Sequence, residues 1–234
     1  MKIHIFYSHY NVEGKGYKYR PFWFDYELCF KNFLSTIKDK NVDFHLVMDG
    51  KVDNNWIGKY KQHYILHEIE GGSMEKAAIT MYNIVKSMGN KIADNDLIYF
   101  LENDYLHVNG WVDKVTDLFK TFNGLNYISL YDHNDKYTWM HLYEDLVSKI
   151  FTTSTHHWRT VPNTCGSYIC TKKLFLEDYD VQTTVIGDAN KWLHLEQTKG
   201  RFMLSALPGL STHCMDTLLS PTIDWEKINN EAKL

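Results

Sequence analysis

Short apolar runs rich in aromatic and β-branched residues recur along the chain and predict strands at residues 3–8, 42–48, 64–69, 97–101 and 127–131. Helical spacing predicts helices at residues 74–88 and 111–122. A further helix is predicted after Pro21, where one face collects Phe22, Tyr26, Phe30, Phe33 and Ile37. Strands that alternate with helices are typical of an α/β fold with a mostly parallel sheet.

Polar residues follow three of these predicted strands directly. Asp49 and Gly50 close the second strand, residues 70–73 (Glu-Gly-Gly-Ser) close the third, and residues 102–104 (Glu-Asn-Asp) close the fourth. The carboxyl ends of parallel strands form the edge at which α/β proteins bind ligands. The glycine pair precedes a helix, where backbone N–H groups and the helix dipole favour a phosphate. Each of these strand ends is also compatible with an ordinary turn.

Two carboxylates, Glu102 and Asp104, stand one residue apart at the end of the fourth strand. Carboxylate oxygens in this arrangement can share a hard divalent cation with the oxygens of a diphosphate. The alternative is a solvated turn that carries two surface acids.

The later part of the chain carries two further motifs. Residues 164–167 are small residues, among them Gly166, and are compatible with a tight turn between two core strands. Residues 186–213 place Asp188 at the start of a helix, Gly200 at its end, a strand at 202–204 and His213 after that strand. An acid first and a glycine last are also ordinary helix punctuation.

Three other segments carry weaker predictions. The strand at 127–131 is expected beside the fourth strand, so that Asp132 and His133 face an acceptor. Residues 152–160 are rich in Thr, His and Trp and predict a loop over a carbohydrate site, because such side chains stack on and hydrogen-bond to sugars. The loop at 11–20, rich in Gly, Lys and Tyr, is expected to contact a nucleotide. The tail after Pro221 predicts a short C-terminal helix.

The motifs together resemble the GT-A nucleotide-sugar glycosyltransferases by order and spacing over roughly residues 1–213. Residues 102–104 resemble the metal-binding D-x-D strand end, with Glu102 in place of the first aspartate. Residues 186–213 resemble the family block with an acid at a helix start, a later glycine, a strand and a closing histidine. The resemblance implies an α/β, GT-A-like fold: a mostly parallel twisted sheet flanked by helices, with a Rossmann-like N-terminal half. One domain, 1–234, is expected, with a nucleotide and metal half (1–110), an acceptor half (111–215) and a tail (216–234).

The resemblance also implies roles for particular residues. The metal, Mn²⁺ or Mg²⁺, would be bound by Asp104, Glu102 and His213. Asp49 would contact the nucleotide, Lys76 the diphosphate or donor sugar, and Gly166 would lie beneath the donor sugar. Asp188 is the candidate general base, with a helix N-cap as its structural alternative.

The resemblance implies transfer of a sugar from a nucleoside diphosphate sugar, UDP- or GDP-linked, to a hydroxyl of a glycan or related acceptor. A sugar-phosphate nucleotidyltransferase is an alternative, although the first loop lacks that class's triphosphate-binding pattern. A non-catalytic carbohydrate-binding module on the same fold is a second alternative. Metal-dependent hydrolysis of a nucleotide sugar would separate the enzyme from the module.

Composition narrows the partners and the compartment. With 44% hydrophobic residues among 234, the chain can bury a full core. The net charge is −4 and no Lys or Arg cluster stands out, so nucleic acid is not an expected partner. No window approaches a membrane span and the start lacks the apolar core of a signal peptide. The four cysteines are scattered, which favours reduced thiols in a cytoplasmic protein.

Overall fold

The computed structural model describes residues 1–10 and 19–233. In that part of the chain nine strands form one sheet, in the order β3-β2-β1-β4-β9-β6-β10-β8-β7, and β5 pairs with β11. The strands of the sheet are β1 Ile3–Tyr10, β2 Val42–Asp49, β3 Ile65–Ile69, β4 Leu97–Glu102, β6 Tyr127–Ser129, β7 Ile150–Thr152, β8 His157–Val161, β9 Tyr168–Thr171 and β10 Met203–Leu207. The short pair is β5 Tyr105–His107 and β11 Ser211–His213.

Most strands of this sheet run in one direction. β3, β2, β1 and β4 are mutually parallel, and β6 is parallel to β10. β9 is antiparallel to both β4 and β6, so β4 and β6 share a direction, and β8 is antiparallel to β10 and β7. The carboxyl ends of β1, β2, β4 and β6 therefore meet at one edge of the sheet, and the predicted mostly parallel α/β sheet is confirmed.

Helices cover both faces of the sheet. They are α1 Tyr26–Ile37, α2 Met74–Ser87, α3 Trp111–Thr121, α4 Asp135–Thr138, α5 Met140–Tyr143, α6 Lys172–Glu177, α7 Tyr179–Thr184, α8 Asp188–Lys199 and α9 Trp225–Glu231. Among these helices none combines the length and the apolarity that a bilayer crossing requires.

The core has one layer on each face of the sheet, and β1 shows why. Side chains alternate between the faces of a strand. Ile5 and Tyr7 therefore pack into one cluster with Phe33 of α1, whereas Phe6 packs into the other with Tyr82 of α2. The apolar runs without strict alternation are explained by burial of both faces.

The prediction that Phe22 belongs to the buried face of the first helix is wrong. α1 begins at Tyr26, because the Asp25 side chain accepts a hydrogen bond from the backbone N–H of Leu28 (2.9 Å) and caps the helix there. Phe22 precedes the helix and is 79% exposed, while Phe30 is fully buried. The Asp25 cap, rather than Pro21, therefore marks the start of α1.

The carbohydrate loop predicted at residues 152–160 is also wrong. These residues form the end of β7, a turn and most of β8. The two strands pair as an antiparallel hairpin at the edge of the sheet. Trp158 of β8 is fully buried in the core rather than placed for sugar stacking. Aromatic residues in a strand and in a binding loop look alike in a sequence, and only the strand pairing separates them.

The neighbour of β4 differs from the predicted one. β9 lies between β4 and β6, so the strand at residues 127–129 does not adjoin the end of β4. The late motifs agree with the prediction: α8 ends at Gly200 in the left-handed conformation (φ 62°), and β10 and β11 follow. Most of the predicted nucleotide loop, residues 11–18, lies outside the described residues.

Candidate functional site

The end of β4 is a polar turn anchored to β1. β4 ends at Glu102, which is partly exposed, and the buried pair Asn103 and Asp104 leads directly into β5. The Tyr7 hydroxyl donates to the backbone carbonyl of Asn103 (3.1 Å). The turn therefore sits at a defined position over the neighbouring parallel strand.

Asp104 is the centre of a buried polar cluster. Its Oδ2 accepts a hydrogen bond from Nη2 of Arg20 (2.7 Å) and lies 3.0 Å from Nε2 of His213. The backbone N–H of Cys214 donates to the carbonyl of Asp104 (2.9 Å). The structure thus brings Asp104 and His213 together, as the resemblance implied, through the pairing of β5 with β11.

Arg20 was missed by the sequence reasoning. Its side chain is 2% exposed, Nη1 donates to the carbonyl of Cys214 (2.7 Å), and its Cζ lies 4.4 Å from the ring centroid of Phe24. Burial alone would lower the pKa of Arg20, but the ion pair with Asp104 outweighs it and raises that pKa. Asp104 is 84 residues away in the chain, so no local spacing pointed to this pair.

The described side chains do not form a preassembled metal-binding site. Within residues 1–10 and 19–233, no group of three His, Cys or carboxylate side chains is arranged to hold a metal ion. The guanidinium of Arg20 lies against the carboxylate of Asp104, and its positive charge would repel a divalent cation at that oxygen. The metal role of Glu102, Asp104 and His213 therefore stays a prediction.

Glu102 and Gly166 face each other across the site. A Cβ placed on Gly166 would lie 3.3 Å from the carboxyl carbon of Glu102, so a larger residue would press on the carboxylate. The Oγ of Ser167 accepts from the backbone N–H of Glu102 (3.1 Å) and lies 3.4 Å from its Oε2. The predicted small-residue turn therefore lies beside the acidic strand end.

Asp49 holds the turn after β3. Its Oδ1 accepts from the backbone N–H of Gly71 (2.8 Å) and its Oδ2 from that of Gly72 (3.2 Å). A Cβ at Gly71 would lie 2.8 Å from Oδ2 of Asp49, which explains the glycine there. The amides predicted to bind a phosphate are thus occupied by the chain's own carboxylate.

The start of α2 is also internally capped. The Ser73 Oγ accepts from the backbone N–H of Lys76 (3.3 Å). The Lys76 side chain is exposed beyond this cap. At the predicted phosphate site the chain therefore occupies the N–H groups of Gly71, Gly72 and Lys76 itself, and the ammonium group of Lys76 is exposed beside them.

Asp188 is the first residue of α8, and Gly187 takes the N-cap position. The predicted alternative, that Asp188 is the cap itself, is wrong. The Asp188 side chain is exposed. One turn later, Nε1 of Trp192 donates to the carbonyl of Thr164 (2.6 Å), which ties α8 to the turn that carries Gly166.

His9 is a second buried residue that the sequence reasoning missed. It is 1% exposed, its Nδ1 lies 2.9 Å from Nδ2 of Asn103, and its Nε2 lies 3.3 Å from Oδ1 of Asn55. Burial lowers the pKa of His9 to about 4. β1 continues past its predicted end at Ser8, and alternation along the strand places His9 on the same buried face as Ile5 and Tyr7. This alternation is the sequence signal that could have predicted the burial of His9.

No protein-family model matches this chain, and no curated protein is detectably similar to it in sequence. Solved structures share its fold at low identity. A provisionally assigned nucleotide-diphospho-sugar transferase of Desulfovibrio desulfuricans G20 is similar over 88% of this chain and 80% of its own, with 12% identity and a TM-score of 0.50. This likeness supports the predicted GT-A-like fold class and nothing finer.

Two nucleotidyltransferase structures are similar with lower TM-scores. A cytidylyltransferase of Leptospira borgpetersenii serovar Hardjo-bovis matches 88% of this chain and 75% of its own, at 14% identity and a TM-score of 0.47. A CMP:2-keto-3-deoxy-manno-octonic acid synthetase matches 100% and 99%, at 12% identity and a TM-score of 0.48.

Proposed function

We propose that this protein is a glycosyltransferase that moves a sugar from a nucleoside diphosphate sugar, UDP- or GDP-linked, to a hydroxyl of a glycan or related acceptor. One observation carries the proposal. The carboxyl end of the central strand β4 collects Glu102, Asp104 and His213, with Gly166 beside them, in a fold shared with a nucleotide-diphospho-sugar transferase.

The donor sugar is proposed to bind on the solvent side of Glu102 and of the turn that carries Gly166. The glycine lets this turn pack closely against the carboxylate, because a Cβ there would lie only 3.3 Å from its carboxyl carbon. Positive charge develops on the sugar in an oxocarbenium-like transition state, and the negative charge of Glu102 stabilises it. The reaction therefore uses the partly exposed acid of the strand end, while the buried Asp104 holds the frame.

The diphosphate is proposed to face the start of α2, where the exposed ammonium group of Lys76 attracts it. Asp49 acts indirectly, because its carboxylate holds the backbone of Gly71 and Gly72. Mn²⁺ or Mg²⁺ would supply further neutralisation of the diphosphate when bound. No step is assigned to a metal, since Arg20 already pairs with Asp104.

Asp188 is proposed as the base that takes the proton of the acceptor hydroxyl. It is exposed at the start of α8, and the hydrogen bond from Trp192 to Thr164 fixes this helix to the turn beside the donor. A carboxylate carried by a helix in a fixed position can accept the proton of a bound hydroxyl.

The proposal is tested first by binding. Thermal shift with UDP, GDP and their sugars, each with and without Mn²⁺, should show stabilisation of about 2.7 kcal/mol at a ligand concentration of 100 times Kd. Release of free sugar from the nucleotide sugar that stabilises the protein would then show that the protein is an enzyme. Glu102→Gln should slow this release without loss of stability. Glu226→Gln, at an exposed position of α9, is the matched control.

The same assays separate the alternatives. Pyrophosphate release from a nucleoside triphosphate and a sugar 1-phosphate would identify a nucleotidyltransferase. Carbohydrate binding without turnover of any nucleotide sugar would identify a binding module. Either result contradicts the proposed transfer.

A further inference from the structure

A second cluster of reactive side chains lies beside Gly166. The Sγ of Cys165 lies 3.4 Å from Nε2 of His133, and Nδ1 of His133 lies 2.8 Å from Oδ1 of Asp135. The thiol and the imidazole are both partly exposed, while the carboxylate is buried. Thiol, imidazole and carboxylate stand in the order of a nucleophile, a base and an orienting acid.

The orienting acid is itself held in place. Asp135 is 5% exposed, and Nζ of Lys136 donates to both of its oxygens (3.0 and 3.3 Å). The same ammonium donates to Oδ1 of Asn163 (2.7 Å) and to the hydroxyl of Tyr143 (3.2 Å). Movement of Asp135 would leave a buried lysine charge without its counter-ion, so the carboxylate is fixed relative to the imidazole.

The protonation states suit a base. Burial lowers the pKa of His133, so its imidazole is neutral at neutral pH. Burial would raise the pKa of Asp135, but His133 and Lys136 outweigh it and the pKa is lowered. The contact between Nδ1 and Oδ1 of Asp135 is close (2.8 Å) but lacks hydrogen-bond geometry, so the carboxylate acts on the imidazole through its charge. That negative charge favours the proton on Nδ1 and leaves the Nε2 lone pair for the thiol. Among the described residues, Asp135, Lys136 and His213 act on the imidazole through their charges, and the ring of Tyr131 packs against it with 4.6 Å between ring centroids.

We propose that Cys165 is a nucleophilic site for activated acyl groups, namely thioesters and aryl esters. Nε2 of His133 takes the thiol proton, and the thiolate adds to the acyl carbon. The carbon–oxygen or carbon–sulfur bond to the leaving group then breaks, and the leaving group takes the proton from Nε2. Water or a hydroxyl attacks the S-acyl group, restores the thiol and leaves with the acyl group. This site does not rest on the proposed sugar transfer.

The other three thiols provide an internal control. Cys29, Cys170 and Cys214 are each fully buried, and burial raises the pKa of Cys29 and of Cys170. Buried thiols of this kind are unreactive. Modification of the folded protein should therefore occur at Cys165 alone, and mass spectrometry of peptides can verify it.

The first experiment measures the rate of alkylation of Cys165 by iodoacetamide across a pH series. His133→Gln should slow the reaction about tenfold at neutral pH, since each unit of thiol pKa changes the thiolate fraction about tenfold. His157→Gln, at an exposed histidine of β8, is the matched control and should leave the rate unchanged. A rate that His133→Gln does not alter would overturn the proposal.

His133→Gln is preferred to Asp135→Asn, because loss of the Asp135 charge would leave Lys136 buried without its counter-ion and threaten the fold. The second experiment mixes the protein with p-nitrophenyl acetate and follows the release of nitrophenolate. A burst, with an acetyl group on Cys165 that later disappears, is expected. Absence of the burst in wild type, or a burst of equal size in Cys165→Ser, would overturn the acyl site.

Discussion

The acidic side chains of the candidate site differ in burial, and we compare those in its interior with those at its rim. The interior is Asp104 with Arg20 and His213, where the aspartate and the guanidinium are each about 2% exposed. We call Glu102 and Asp188 the rim: Glu102 is partly exposed at the end of β4, and Asp188 is exposed at the start of α8. The interior acid pairs with a buried cation of the chain, whereas the two rim acids reach solvent.

This difference in burial separates acids that stabilise the fold from acids whose loss leaves stability unchanged. A buried carboxylate with a buried guanidinium stabilises the native state relative to loss of either partner. An exposed carboxylate contributes little to stability, so the roles proposed above for Glu102 and Asp188 are chemical rather than structural. Substitutions in the interior should therefore change stability, and substitutions at the rim should change turnover.

The largest effect is expected at the rim, from Asp188→Asn. Asparagine cannot accept the acceptor proton, so turnover should fall by about 10² to 10⁴ while donor binding is retained. Thermal stability should change little, because Gly187 rather than Asp188 takes the N-cap position. The measurement is kcat with saturating donor and acceptor, beside a thermal melt.

Asp180→Asn, at another exposed acid of the first turn of a helix, is the control for a general loss of charge at a helix start. Near wild-type turnover in Asp188→Asn would remove Asp188 from the mechanism and indicate either another base or a retaining reaction.

In the interior, Asp104→Ala should cost about 3 to 5 kcal/mol of unfolding free energy, because it leaves the guanidinium of Arg20 buried without its partner. Urea unfolding measures this value. Asp113→Ala is the control: Asp113 is 67% exposed and pairs with Lys40 at the surface, so its loss should cost less than about 1 kcal/mol.

The double variant Arg20→Met with Asp104→Leu sharpens the test, since removal of both charges should recover much of the stability lost in the single variant. Equal costs for Asp104→Ala and Asp113→Ala would show that the pair does not stabilise the fold. A Mn²⁺-induced rise in Tm that Asp104→Ala abolishes would instead assign Asp104 to a metal.

The pH dependence of stability tests the packing beneath the turn. The pKa of His9 is about 4 in the folded protein and about 6.5 in the unfolded chain, so the unfolded state binds the extra proton between these values. Stability from this group is present above about pH 6.5 and falls by about 1.4 kcal/mol per pH unit down to about pH 4, a total of about 3 kcal/mol.

His9→Gln should therefore lower the slope of the unfolding free energy against pH by about 1.4 kcal/mol per pH unit, the contribution of one proton, while buried histidines such as His45 and His107 keep theirs. Urea titration between about pH 7 and about pH 5 measures this slope. His63→Gln, at an exposed histidine, is the control and should leave the slope as it is. If the two variants show the same slope, His9 does not titrate as its burial predicts.

The smallest effect is expected at the end of β2. Asp49→Ala removes a carboxylate that accepts two backbone hydrogen bonds, from Gly71 and Gly72, and should cost about 2 kcal/mol of unfolding free energy. Asp53→Ala breaks a surface ion pair with Lys61 and is the control, with an expected cost below about 1 kcal/mol. A loss of nucleotide binding without a loss of stability would restore the predicted direct contact of Asp49 with the nucleotide.

Local sequence patterns predicted many of the strands and helices of this fold. Runs of apolar residues with aromatic and β-branched side chains report burial in a strand, and five such runs lie in or around the observed strands β1, β2, β3, β4 and β6. Glycine after the last residue of α8 reports its end, because the left-handed conformation favours glycine. The neighbourhood of Asp104 and His213 came from a family resemblance and agrees with the pairing of β5 and β11.

Most strands and helices of this protein can be located from its residues alone, because apolar runs and their periodicity show which side chains are buried. The pairing of distant side chains depends on the tertiary structure. Arg20 reaches Asp104, His133 reaches Cys165, and Asp49 reaches Gly71 because parallel strands and their loops bring distant segments to one edge. Insertion of β9 between β4 and β6 is likewise a matter of strand order. Contacts across such distances depend on the packing of the whole sheet, and no local spacing encodes them.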